Sequence, residues 1–489
     1  MLKKIVISLG FLLTLNSYSQ EELVVFENTL KKSSSSLKDV IPIVNENTGD
    51  ISLFLMDATK VYGYLLNDEF KLVKSLNSDD KSRKYNVLIG KSISDNNDYR
   101  VYLTNRKQTK FASINFSYST NSSSFEEFEL ASKNELLLQT VTYKNQFFLI
   151  SIIKKSSTLC MYKFDNKGKY ERVILDFSSY KFLNRMGVET NLFKLCTENT
   201  GAYGFKKSVD VKKIQENNPN SIEVSSELSK FYLKDNSILL TLDDNKNFTQ
   251  IVKINLDTFE NEVLIIKKPF LDSGVYSIKT NSFISGDHIY MIVSTADNFV
   301  FEIKDIKTKE ILKEYKVSAN DSITFKNTPI IQKGGVYDSY REMEKTKKFL
   351  RKITNGDVGV SVYKLNNNYQ ITLGGRQEIK SGGGGMMMPI GMGIPIASFG
   401  SATVFFNPTY FAYNSYTSSK STHIKGLFDT NFNHIKGELK QNVFDKINDS
   451  KIEKSTAQKG KTVFKYKDFY IVGDYLVWDK KYILRKFID

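Results

Sequence analysis

The sequence predicts an all-β chain: a β-propeller of seven or eight four-stranded blades, with one short helix and a long Gly/Met-rich loop inserted in its last third. Three observations predict this. Apolar runs begin at Ile51, Tyr99, Phe147, Asn191, Ser237 and Asp287, each nearly fifty residues after the one before. In four of these units a second apolar run starts twelve residues after the first, at Phe111, Leu159, Thr249 and Phe299. The composition suits pleated surfaces, with 27 Tyr and 34 Phe but only 7 Pro. A fixed period of this size built from strands is the mark of a radial repeat. A β-sandwich does not repeat so regularly, and solenoid repeats are usually shorter.

Taken in order, the chain opens with Lys3 and Lys4, an apolar run from Ile5 to Leu15, and the small residues Ser17 and Ser19. That pattern predicts a signal peptide over residues 1–19, cleaved before Gln20. It is too short for a permanent membrane span, so no transmembrane helix is expected in the mature chain. The expected location is secreted or periplasmic, with association to the cell envelope. No Cys follows the cleavage point, so a bacterial lipoprotein anchor is not indicated. Residues 20–489 are read as a single propeller domain. Regular blades fill about 47–332, a helix and a charge-free insertion occupy 333–419, and a closing blade spans 420–489.

Within a unit, the run from Phe147 (FFLISII) leads to LCMYKF, a turn at Asp165-Asn166-Lys167-Gly168, and YERVILDF. Gly and Asn reach the left-handed backbone region at least cost, so this is a hairpin turn. Polar turns recur at Leu256-Asp257-Thr258 and Lys307-Thr308-Lys309. The fourth strand is assigned to runs such as Ser229 to Asp235, which follow the third. Runs that are apolar at consecutive positions, as at Leu136 and Glu262, fit strands buried on both faces. A further hairpin starts at Val358 and Tyr369. Near the end, Val463 to Phe487 reads as a closing blade, which Glu22 to Asn28 completes from the other end of the chain and so removes exposed edges.

Two segments break the repeat. Asp338 to Lys352 predicts a helix, with Tyr340, Met343 and Leu350 near one stripe and Glu344 and Lys348 spaced as an i,i+4 pair. Ser381 to Ser419 contains no charged side chain in a chain that is 25% charged, and it opens SGGGGMMMPIGMG. Gly and Pro at this density argue against a membrane helix and for an apolar loop. The net charge of +15 is concentrated nearby. There are 10 basic and 5 acidic residues in Lys333–Lys380, and 15 and 9 in Lys420–Asp489. Such asymmetry fits a contact with an anionic surface or polymer, and equally a lysine-rich solvated face. The loop either plugs the channel or covers one face of the ring, or it inserts into a membrane surface or hydrophobic partner; in the second case the binding residues are Met386, Met387, Met388 and Met392, with Arg376, Lys380, Lys420 and Lys425 as basic flanks.

Familiar catalytic and metal motifs are missing. His288, His423 and His434 have no metal-ligand spacing, and there is no G-x-S-x-G elbow. Gly90-Lys91-Ser92 lacks the earlier glycine of a phosphate loop, since Tyr85 stands there. Asp243-Asp244-Asn245-Lys246-Asn247 alternates oxygen ligands as calcium loops do, but Phe248 and Ile254 replace the required Gly and Glu, which leaves a hairpin turn. Met thioethers can hold Cu(I), yet no His or Cys lies near the irregular Met run. Trp478-Asp479 is a single WD dipeptide, and the chain has only 1 Trp. Cys160 and Cys196 read as two separate buried thiols. No cofactor and no metal are expected.

The leader, the period and the four-strand unit resemble secreted bacterial β-propeller proteins over most of the mature chain. The resemblance implies the ring and export, and no motif in it transfers an active site. The expectation is an exported, non-enzymatic binding or scaffold protein at the cell envelope. Its basic last third would touch an envelope protein, an anionic polysaccharide or a membrane surface; no nucleic acid is expected, given export. The alternative is a hydrolase or lyase acting on polysaccharide or peptide at the propeller channel.

Overall fold

The second and third strands of a blade carry apolar residues at consecutive positions because both faces are covered by neighbouring blades. Ile51–Met56 and Tyr99–Thr104 are buried along their whole length, whereas the outer strand Leu72–Asn77 is mostly exposed. The computed structural model describes residues 21–28, 39–79, 81–130, 134–198, 208–209, 211–270, 278–334, 340–376, 407–450, 460–476 and 479–489. The leader 1–19, Lys380, the Gly/Met run and Trp478 lie outside the described residues.

Among the described residues, seven sheets of four or more strands make the blades of a β-propeller. Their inner strands are Asp39–Val44, Val87–Ile93, Glu135–Tyr143, Ser229–Lys234, Lys279–Ser285, Val358–Leu365 and Thr462–Tyr466, for blades 1 to 7. Shared apolar clusters join blades 1 and 2, blades 2 to 4, blades 4 to 6, and blades 7 and 1. Asp489 links blade 6 to blade 7 by accepting from Tyr363 Oη and, at 2.7 Å, from the Val443 amide. The ring is sealed by Glu21–Glu27, which pairs antiparallel with Lys481–Phe487 as the outer strand of blade 7. The predicted completion of the last blade by the first strand is present.

Contacts between blades are close enough to dictate single residues. Tyr102 of blade 2 stacks on Phe147 of blade 3 with ring centroids 4.2 Å apart. Gly90 lies under the same ring: a Cβ there would stand 1.9 Å from Phe147. Gly90-Lys91-Ser92 is thus part of a strand. The 165–168 turn also forms as predicted, with Gly168 at φ +81° and its amide donating to Asp165 O at 3.0 Å.

Several expectations are corrected. Ser229–Lys234 does not finish the preceding unit; it is the inner strand of blade 4, paired with Ser237–Leu242. The run at Asn191 is no blade strand. Asn191 caps the short helix α1 (Leu192–Leu195), and its apolar residues fill the core between blades 3 and 4. Removing that unit from the count leaves seven blades. Blade 6 is built from Val358–Leu365 and Asn368–Arg376, inside the stretch read as an insertion, and from Ser421–Phe428, assigned to the closing blade. Its outer strand, Ile330–Lys333, precedes the others in sequence.

Helices differ too. Besides α1, the chain forms α2 (Ile222–Ser225), α3 (Thr346–Thr354), α4 (Pro408–Ser418) and α5 (Val443–Asp449). The helix expected at Asp338–Lys352 starts only at Thr346, because Arg341–Met343 pairs with the free edge of Ile330–Gln332. Sheet pairing overrides the helical pattern there. Phe349, Leu350 and Ile353 form the buried face of α3. The end of the charge-free stretch is helical, not loop. Asn407 caps α4 by accepting from the Tyr410 amide at 3.0 Å, and Pro408 occupies its first turn.

Candidate functional site

Between blades 3 and 4 the chain crosses the middle of the ring. Lys212–Ile214 runs parallel to the inner strand of blade 4. Val211 O accepts from Gln139 Nε2 at 3.0 Å, and Lys213 Nζ donates to Thr140 O at 2.9 Å; both partners are on blade 3. Farther on, Ser226 O accepts from Asn281 Nδ2 of blade 5 at 2.8 Å. Asn220 O accepts from Ser361 Oγ of blade 6 at 2.8 Å. Tyr470 Oη of blade 7 donates to Asn217 O and lies 2.9 Å from Asn218 Oδ1. A segment that reaches five of seven blades, four of them at the inner strand, lies on the ring axis. Residues 211–227 therefore fill the channel on that side.

The local sequence explains how backbone can be buried there. Gln215 to Ser221 reads QENNPNS. Such residues hydrogen-bond neighbouring main chain in place of a sheet ladder. Asn220 Nδ2 donates to Gln215 O at 2.9 Å and to Asn218 O at 2.8 Å. Ser221 Oγ accepts from the Val224 amide and starts α2.

Beside this plug lies a buried ionic cluster. Asp243 Oδ2 is 2.9 Å from Lys230 Nζ and Oδ1 is 3.2 Å from Lys268 Nζ, with all three side chains fully shielded from solvent. Thr249 and Ser282 hydroxyls donate to the same carboxylate at 2.7 and 2.8 Å. Lys230 Nζ also donates to Glu227 O and Asn281 Oδ1, and Lys268 Nζ to Asp243 O and Asn245 O. Burial alone would push the Asp243 carboxyl up, but the two ammonium groups outweigh it and hold the carboxyl well below the usual range. The turn that resembled a calcium loop thus has lysines at both oxygens of its first Asp.

A cleft opens next to the cluster, lined by Arg185, Asp243, Asp244, Lys246, Lys279 and Asp357 among others. Asp357 accepts from Arg376 Nε and Nη2 at 2.9 and 2.6 Å and lies 3.3 Å from Lys279 Nζ. These cations overcome the effect of burial and keep Asp357 below its ordinary value. The same arginine reaches Glu227 at 3.1 Å, at the end of the plug. Arg185 begins the tip of a small hairpin, held by its amide to Asp244 Oδ2 at 2.8 Å, and Met186 and Val188 of that tip are exposed.

Of the predicted binding residues, Arg376, Lys420 and Lys425 are described. Arg376 clamps blade 6 to the plug. The Lys420 amide donates to Glu223 Oε2 of α2 at 3.4 Å. Lys425 Nζ lies 3.0 Å from Tyr416 Oη, against the face of that ring. Met386, Met387, Met388, Met392 and Lys380 lie outside the described residues. Both described ends of that stretch attach to the plug, Arg376 through Glu227 and Thr409 through Gln215 Oε1 at 2.8 Å.

The remaining reactive groups sit in packing positions. Burial pushes the His423 imidazole down to about 3, and its Nδ1 lies 2.9 Å from Ser421 Oγ. His434 Nε2 meets Asn327 Oδ1, and His288 packs edge-on to Phe432. Cys160 and Cys196 are separate, buried thiols, and burial raises Cys160 to about 11.

No family model matches the chain, and no curated protein does. Among solved structures it is similar to a prolyl endopeptidase, at 8% identity over 70% of this chain and 42% of that one, with a TM-score of 0.32. It is similar to the Dos1 propeller at 10% identity, over 72% and 84%, with a TM-score of 0.29. The β-propeller domain of the Trilobed protease from Pyrococcus furiosus gives 11% identity, 69% and 77%, and 0.28. The chain spans less than half the length of the prolyl endopeptidase. Likeness this slight decides nothing about function, and the fold rests on the strand topology.

Proposed function

We propose that this chain is an exported, non-enzymatic binding or scaffold propeller at the cell envelope. Its last third makes the contact, with an anionic polymer or a membrane-associated partner. The observation that carries the reading is the plug: residues 211–227 occupy the axis where a propeller enzyme would hold its substrate. A hydrolase or lyase at the channel would bring several Asp, Glu, Arg or Tyr side chains together there. Asp243 and Asp357, beside the plug, are each held by two cations.

The contact element is the charge-free stretch with Met386, Met387, Met388 and Met392, whose flanks are tied to the plug. Adaptable Met side chains next to cations suit an apolar, negatively charged surface. Deleting residues 382–395 tests this by cell fractionation with a thermal melt of the purified protein. The intact chain should be recovered with the envelope and the deletion in the soluble fraction, with the melting temperature unchanged. Identical fractionation of the two would overturn the reading.

A further inference from the structure

We propose that the cleft between blades 4, 5 and 6 binds a compact oxoanion, a phosphate or carboxylate group, through Arg185 and Lys246 with Lys279 beside them. The inference rests on the proposed function only for the anionic nature of the partner.

Charge around the cleft does not balance. Lys230 and Lys268 share one carboxylate, Asp243. Lys279 and Arg376 share Asp357, and Arg376 also takes Glu227. Arg185 and Lys246 remain, and Asp244 also lines the cleft. Among the described residues, three cations and three carboxylates line the cleft, and with Lys230, Lys268, Arg376 and Glu227, which pair with them from behind, they carry an excess of two positive charges. Among the described residues neither the Arg185 guanidinium nor the Lys246 ammonium forms an ion pair, and Asp244 Oδ2 is already engaged by the Arg185 amide.

The shape agrees with the charge. The cleft is partly open to solvent and admits a group of water or oxoanion size. Its floor is rigid, because Asn281 and Asp243 are locked into the buried cluster. A guanidinium presents paired N–H donors that match a carboxylate or phosphate edge, and an ammonium adds a point charge. The predicted ligand is therefore an anionic group, carried by a partner that passes the exposed Met186 and Val188.

Isothermal titration calorimetry on the purified mature chain at low ionic strength tests this, with sodium phosphate and sodium acetate in separate runs. At least one anion should give saturable heat that fades as salt is added. Phosphate alone would assign a phosphate-bearing partner, and acetate alone a carboxylate-bearing one. The Arg185→Gln/Lys246→Gln double variant should bind about tenfold more weakly or worse. Lys253→Gln, which removes a distant surface cation paired with Glu262, should leave binding unchanged. Both variants alter solvent-facing side chains, and unchanged melting temperatures would verify the fold. No saturable heat for either anion, or equal affinity in wild type and double variant, would overturn the proposal. Saturable binding by a protein whose 382–395 deletion still fractionates normally would keep the cleft and discard the envelope contact.

Discussion

At the residue scale, the molecule's largest electrostatic commitment is Asp243. A buried ion pair is weak evidence for stability, since desolvation offsets much of the attraction, but removing one member leaves the others exposed to the full penalty. Asp243→Asn strands two ammonium groups in a solvent-free site and should destabilise the fold by about 3–5 kcal/mol at pH 7, read by urea unfolding. The pH dependence has a definite sign. The folded carboxyl is held below its unfolded value, so its contribution is complete above about pH 4 and drains away as acid approaches the folded value. The gap between wild type and Asp243→Asn should hold steady from pH 7 to pH 5 and narrow below pH 4. A gap that stayed constant into acid would mean the carboxylate is not what the lysines need.

At the scale of elements, blade interfaces carry the specificity. The Gly90 backbone passes directly beneath the Phe147 ring, so Gly90→Ala must displace an aromatic side chain already stacked on Tyr102. Overpacking of this kind costs about 1–3 kcal/mol, and a urea midpoint shift with unchanged slope would register it. A midpoint equal to wild type would show that the interface has slack. Strands were the legible elements, because period-two and double-faced apolar runs say directly what they bury. Elements joining them were less so. Leu192, Phe193 and Cys196 are apolar and fall on the strand period, yet Asn191 turns them into a helix by capping it. Tyr340 and Met343 sit at helical spacing, yet a bare strand edge captured Arg341–Met343. The plug was hard to read because its middle, Gln215 to Ser221, carries no apolar signal, and Asn218, Asn220 and Ser221 are buried among their own hydrogen bonds. Lys230 and Lys268 look like ordinary solvated lysines until the strands around them are assembled, and the cleft was invisible for the same reason.

At the scale of the whole molecule, stability depends on closing the circle. Phe26 is buried between Tyr64 of blade 1 and Tyr482 of blade 7, with ring centroids at 4.9 and 5.8 Å. Its burial alone contributes about 1.5–3 kcal/mol. Removing Glu21–Glu27 should lower the melting temperature by several degrees, with a loss on the order of 3 kcal/mol, and should raise aggregation through the bared edge of Lys481–Phe487. A monodisperse truncated protein with unaltered melting would place the seal elsewhere.

That seam also sets a rule for how the protein comes into being. The Asn28 side chain reaches Lys480 O across 452 positions of chain, so Glu21–Glu27 has no partner until Lys481–Phe487 has been made. Pairings this distant form late and slowly. A product that lacks Lys481–Phe487 is then not a slightly smaller ring but an open one, with two sticky edges and a less supported Phe26. Copies with and without that strand would differ sharply in protease resistance, because only one of them has a closed ring.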